Sequence, residues 1–182
     1  MRRFSGARPG LLLPVAVILV GALGLHYLTP APPPIEGRAT AVDGDTLRLG
    51  GERIRLVGLD APERDQTCAD ANGAEWPCGE AARQRMAALV ADGGLSCAPR
   101  GRDRYDRLLA VCTMGTKDVA AAMVTEGLAV AQGGYFGEQA DAQKARRGIW
   151  AGTFVPPAAY RHKQTGNGQD QNIIDIVRSW FR

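Results

Sequence analysis

The chain has 182 residues, 45% hydrophobic and 23% charged, enough for one domain with appendages and too apolar for a disordered chain. A net charge of +3 permits a polyanionic partner without forcing tight, nonspecific binding to one. There are no internal repeats and no G-x-x-x-x-G-K-[ST] phosphate loop, and His26 and His162 both lie where no Ser-His-Asp arrangement can form.

Residues 1–10 carry Arg2, Arg3 and Arg8 and no acid. Residues 11–28 then run without a charged side chain, unless His26 is protonated, close to the ~18–20 residues that span a bilayer. A basic flank before such a run predicts a transmembrane or signal helix rather than a buried core helix. The Pro-rich spacer at 29–36 offers no small-x-small cleavage site, which favours a retained single-pass anchor in the inner membrane over a secreted protein. The folded part is then expected on the extracytoplasmic, periplasmic side. Four cysteines agree with export. They allow three connectivities, of which sequence proximity favours Cys68–Cys78 and Cys97–Cys112. Zinc is the weaker alternative, because there is no C-x-x-C and neither histidine is near.

Residues 38–42, 46–49 and 53–59 predict a three-stranded meander, turned at Asp43-Gly44 and Gly50-Gly51. A loop fills 64–78. A helix over 80–91 ends at Gly93-Gly94, with Arg83 and Arg85 on its solvated face. Two more strands follow at 95–98 and 108–113, joined by an arginine-dense connector in which Arg107 opens an apolar run and is aimed back at the sheet. A helix at 118–126, a short apolar stretch at 128–131, a crossing at 132–135 and a helix at 138–147 complete the domain, with Trp150 as a core plug. After residue 153 the chain reads as a polar tail. It closes in an amphipathic helix at 173–181, suited equally to docking on the domain and to an interfacial membrane contact. Five strands with about three helices make a mainly β, α+β chain with the shape of an OB-fold barrel.

Chemistry concentrates at one strand end. Arg55 interrupts the apolar run Ile54, Leu56, Val57, Leu59, and a half-buried guanidinium needs a carboxylate or phosphate partner. The run stops at Asp60-Ala61-Pro62-Glu63, where Pro62 forces the chain out of regular pairing, and Asp43-Gly44-Asp45-Thr46 lies just upstream. Acids with one committed arginine suggest a hard cation beside a phosphate. Taken singly, each aspartate is more often a turn residue.

Asp43-Gly44-Asp45-Thr46, Arg55-Leu56-x-x-x-Asp60-x-Pro62-Glu63, Asp103-Arg104-Tyr105-x-Arg107, Glu126-Gly127-Leu128-Ala129 and Gly148-Ile149-Trp150 occur in the order of the thermonuclease family. The chain resembles that family, typified by staphylococcal nuclease, over its domain at 37–152. The resemblance implies a calcium-dependent endonuclease that hydrolyses DNA and RNA to products ending in 3′-phosphate. It implies Asp45, Asp60 and the main-chain carbonyl of Ala61 as calcium ligands, and Arg55 and Arg107 as the grip on the scissile phosphate. Glu63 would activate or position the attacking water. Arg104, Tyr105 and Tyr135 would contact substrate. No protein partner is implied, and the catalytic domain is expected to be a monomer. Where the family commonly has Gly after the tyrosine, this chain has Asp106, which tolerates unusual turn geometry but adds negative charge beside Arg107. The alternative is a catalytically weak or inactive OB-fold module of the cell envelope that binds nucleic acid or protein.

Overall fold

The computed structural model describes residues 32–164. The expected anchor at 11–28, the first part of the spacer at 29–36 and the terminal helix at 173–181 lie outside them. Among the described residues no helix is long and apolar enough to cross a membrane.

The main sheet is built from β1 (Ile35–Gly37), β2 (Ala39–Ala41), β3 (Thr46–Leu49), β4 (Glu52–Leu56), β8 (Leu95–Arg102) and β9 (Leu108–Met114), in the order β1-β8-β9-β4-β3-β2. It curls into a half-barrel whose neighbours are antiparallel except β4 and β9. A short β10 (Lys117–Asp118) extends β9, while β5 (Gly58–Asp60) pairs with β11 (Val130–Gln132) and β6 (Cys68–Ala69) with β7 (Glu75–Trp76). Four α-helices are described: α1 (Cys78–Leu89), α2 (Val119–Thr125), α3 (Phe136–Lys144) and α4 (Pro157–Gln164).

Besides the β6–β7 pair inside the expected loop at 64–78, three differences from the expected elements stand out. The first is an added edge strand, β1, which pairs with β8, so the sheet begins inside the expected spacer. The second is that the expected strand at 53–59 is two strands, because Gly58 takes φ +88 and redirects the chain at Val57. The third is α4, which lies in what reads as a polar tail. Its first residue is a proline, preorganised for a helical first turn and missing only an N–H that no helix start uses. The turn at Gly50-Gly51 is as expected, with both residues at positive φ joining Leu49 to its partner Glu52. By contrast, Asp43-Gly44 belongs to a four-residue loop closed by Val42 N–H donating to the Thr46 carbonyl at 2.9 Å.

Period-two alternation on β3 and β4 sends Leu47, Leu49, Ile54 and Leu56 inward, all at most 2% exposed. They pack with Ala82 and Met86 of α1 and Val119, Met123 and Val124 of α2. The same alternation turns Arg55 to the opposite face. A second cluster joins Ile149, Trp150 and Phe154 to the Cys68–Cys78 disulfide, the two rings meeting edge to face at 5.0 Å. Trp150 is thus the expected plug. The other disulfide, Cys97–Cys112, joins directly opposed residues of β8 and β9. Arg85 is more than solvated helix surface: it forks onto Glu126 at 2.6 Å through both Nε and Nη2, tying α1 to the end of α2.

Candidate active site

Asp45 comes from the 42–45 loop and Asp60 from the end of β5, and backbone proximity holds the two together. A Cβ on Gly44 would sit 2.7 Å from Cβ of Ala61, so only glycine lets the 42–45 loop press against the end of β5. Both carboxylates are buried, at 4% and 2% exposure. Arg55 clamps them from the far face of β4, Nη1 to Asp45 Oδ2 at 2.6 Å and Nη2 to Asp60 Oδ1 at 2.8 Å. Asp45 also accepts from Thr46 Oγ1 at 2.9 Å and from the Ala61 N–H at 3.3 Å. Burial pushes the Asp45 carboxyl up to about 6, against the pull of Arg55. For Arg55 burial opposes the charge, but the two carboxylates outweigh it and its pKa rises.

Arg107 opens β9 and is shaped by its own turn. Asp103 accepts from the N–H groups of Tyr105 and Arg107 through Oδ1 and from Arg107 Nε through Oδ2, at 2.8, 3.0 and 2.7 Å. Asp106 holds φ +61 in this turn, as a residue replacing glycine must. Its carboxylate is 87% exposed and leans to Arg102, 3.5 Å away, rather than to Arg107. Tyr105 stands 65% exposed, with the guanidinium carbons of Arg104 and Arg107 at 4.8 and 5.6 Å from its ring centre.

These parts line one open cleft of about 890 Å³, bounded by Asp43, Asp45, Arg53, Arg55, Glu63, Asp103, Arg104, Tyr105, Arg107, Leu109, Arg161 and His162. Five arginines facing four acids give a site for an anion next to a site for a cation. Arg161 on α4 bridges Asp60 and Glu63. Its Nη1 donates to Asp60 Oδ1 at 3.0 Å and Glu63 Oε1 at 2.7 Å, and its Nη2 to Asp60 Oδ2 at 2.9 Å. Burial opposes its charge too, yet the hydrogen bonds it donates to Asp60 and Glu63 raise its pKa. Among the described residues no group of three or more His, Cys, Asp or Glu side chains is spaced as a metal cage. The donors are nonetheless all oxygen, two of the acids are buried, and a guanidinium already sits as a cation between Asp60 and Glu63. That chemistry fits a hard divalent ion.

Residues 53–152 match the family model for staphylococcal nuclease homologues, more than half the chain. The chain belongs to the staphylococcal nuclease homologue family. It is 37% identical over 139 residues to the succinoglycan biosynthesis protein ExoI of Rhizobium meliloti, spanning 72% of this chain and 73% of that one. An uncharacterized endonuclease of Escherichia coli O157:H7 is 32% identical over 71% of this chain and 87% of its own. One of Haemophilus influenzae is 29% identical over 69% and 71%.

In this staphylococcal nuclease homologue, Asp45, Arg55, Glu63, Arg104, Tyr105 and Arg107 line one cleft, with Asp60 joined to them through Arg55 and with Ala61 behind Asp45. Tyr135 is not brought there. Its ring lies on Gly58, where a Cβ would be 2.6 Å from Cε2, and its hydroxyl donates to Asp118 Oδ2 at 2.8 Å. Burial, reinforced by Asp118, raises its pKa. Arg53, Asp103, Arg161 and His162 are cleft residues that sequence reading left without a role. The Asp-x-Tyr-x-Arg spacing signals the Asp103 turn. Pro157 at the first turn signals α4. Nothing local signals where Arg161 reaches, and it lies beyond the segment that matches the family.

Proposed function

We propose that the protein is a nuclease that hydrolyses phosphodiester bonds of DNA and RNA with the help of calcium. The observation that carries this reading is the meeting of Asp45, Asp60 and Glu63 with Arg55 and Arg107 around a single cleft. The names of relatives as endonucleases support it. When bound at Asp45, Asp60 and the Ala61 carbonyl, calcium supplies positive charge to the phosphate. Arg107 and Arg55 fork onto the phosphate oxygens and neutralise the charge that builds on them. Glu63 holds a water in line with the leaving 5′ oxygen and accepts its proton as the new P–O bond forms. The P–O5′ bond breaks, the 5′ oxygen takes a proton from solvent, and the product keeps a 3′-phosphate. Tyr105 and Arg104 offer a stacking face and a cation for the flanking nucleotide, worth about 1–3 kcal/mol per stacked base.

We place this activity outside the cytosol, tethered by residues 11–28. Oxidation of all the described cysteines supports that location. The test is incubation of the full-length protein with plasmid and with RNA, with and without a chelator. Cleavage lost on chelation and restored by calcium is expected, whereas cleavage indifferent to chelation removes the metal from the scheme. A second reading, a weak or inactive module that binds nucleic acid, is favoured by one observation: Arg161 already covers Asp60 and Glu63. Binding without turnover under any divalent ion would establish it.

A further inference from the structure

Asp60 has no side-chain oxygen left to itself. Oδ1 accepts from Arg55 and Arg161, and Oδ2 accepts from Arg161. Arg161 spans from there to Glu63, so one guanidinium bridges a proposed cation ligand and the proposed water-positioning carboxylate. The helix that presents it is fixed next to the site. Gln66, three residues past Glu63, donates to the Val155 carbonyl at 2.6 Å, Gln164 donates to Asp65 at 3.0 Å, and Ala159 is buried. Its side chain is 37% exposed and lines the open cleft on a long stem.

We infer that Arg161 is an internal cation occupying the divalent-ion locus, and that the ion binds only by displacing its guanidinium from Asp60 and Glu63. The inference rests on the metal-assisted reading above and deepens it. Arg161 takes both oxygens of Asp60 and one of Glu63, so an ion at those oxygens meets a like charge at close range, and its apparent affinity is the intrinsic affinity scaled down by the small fraction of molecules in which Arg161 is released. Displacement also frees Glu63 to hold water. Metal arrival thus turns a neutralised pair of acids into a working site. The Arg161 contact itself holds both carboxylates in place.

The test is calcium titration by calorimetry on the full-length protein without nucleic acid, comparing wild type with Arg161→Gln and Arg161→Lys, alongside a plasmid cleavage assay. Arg161→Gln removes the competing charge and should bind calcium at least about tenfold more tightly. Arg161→Lys reaches one carboxylate at a time and should gain by a smaller factor. Melting without metal should fall in Arg161→Gln and recover more on calcium addition than in wild type. Unchanged or weaker calcium affinity in folded Arg161→Gln overturns the inference, while the nuclease reading stands if wild type still cleaves. If Arg161→Gln does not fold, Arg161→Lys that binds no more tightly than wild type overturns it. Absence of both calcium binding and cleavage in every form overturns the inference and the nuclease reading together.

Discussion

Arg55 and Arg107 are given the same chemical task, but the structure gives them different stability roles, and alanine substitution separates the two. Arg55 is 16% exposed and is wedged between two carboxylates that are themselves nearly sealed from water. Breaking a buried ion pair by removing one partner costs roughly 3–5 kcal/mol, because the remaining charge is uncompensated. Here Arg161 still covers Asp60, so Asp45 is the orphan and the low end, about 3 kcal/mol, applies. For a chain of this size that is a fall in Tm of roughly 6–12 °C. The deficit should shrink toward pH 5. Burial holds the Asp45 carboxyl up at about 6 even against the pull of Arg55, and removing Arg55 raises it further, so at pH 5 the orphan is neutral. Arg107 pairs with Asp103 in a turn at the cleft mouth, where solvent screens the pair, so its loss should lower Tm far less than loss of Arg55 does. Each variant should lose about 10²–10³ in cleavage rate. Calorimetric melting in chelator at pH 8 and pH 5, run beside a fluorogenic nuclease assay, reads both effects. An Arg55→Ala protein that melts within about 2 °C of wild type at pH 8 would show that the buried carboxylates do not depend on this clamp.

Glu63→Ala should lose about 10²–10⁴ in cleavage rate while leaving calcium affinity in calorimetry close to that of wild type or higher, since one anchor of Arg161 goes with it. A variant with full activity would remove Glu63 from the chemistry. Asp106→Gly should raise cleavage by less than about threefold, because the carboxylate is solvated and faces Arg102, so its field at the cleft is screened; a larger gain would place its charge at the phosphate. Glu80, on the first turn of α1, is held down to about 2 from an ordinary 4.5 by hydrogen bonds from Arg83 and Gln84. Its contribution to stability is complete above 4.5 and is lost as pH falls through about 2. The Tm difference between wild type and Glu80→Gln should therefore narrow steadily on acidification below 4.5, and a difference that widens would contradict the shift.

The parts of the site that could be read from sequence are those whose physics is local. Arg55 betrays itself by breaking an apolar run, and Pro62 marks where that run must leave the sheet, so Asp60 and Glu63 follow from a dozen consecutive residues. The Cys97–Cys112 pair follows from two neighbouring strands of a hairpin. What escaped is set by distance along the chain. Arg161 meets Asp60 and Glu63 across separations of 101 and 98 residues, and the pairing of β1 with β8 is nonlocal too, Ile35 lying opposite Cys97. Tyr135 shows the limit of alignment by motif. Its position in the chain suited a substrate contact, but a left-handed backbone at φ +62 and the bare surface of Gly58 turn its ring onto the fold instead.

Three of the five arginines lining the cleft are already held by acids. Arg55 is held by Asp45 and Asp60, Arg107 by Asp103, and Arg161 by Asp60 and Glu63. On the proposed nuclease reading, a resting phosphodiester with its single negative charge would have to draw guanidiniums away from carboxylates at 2.6–2.9 Å, which works against ground-state binding. The extra charge that develops as water attacks competes far better for the same arginines. Interactions that grow between substrate and transition state raise turnover, whereas those already complete in the ground state do not. The internal pairing therefore orients each arginine without spending its attraction on the resting substrate. The acid most heavily covered, Asp60, is the one whose release by a cation would change the balance most.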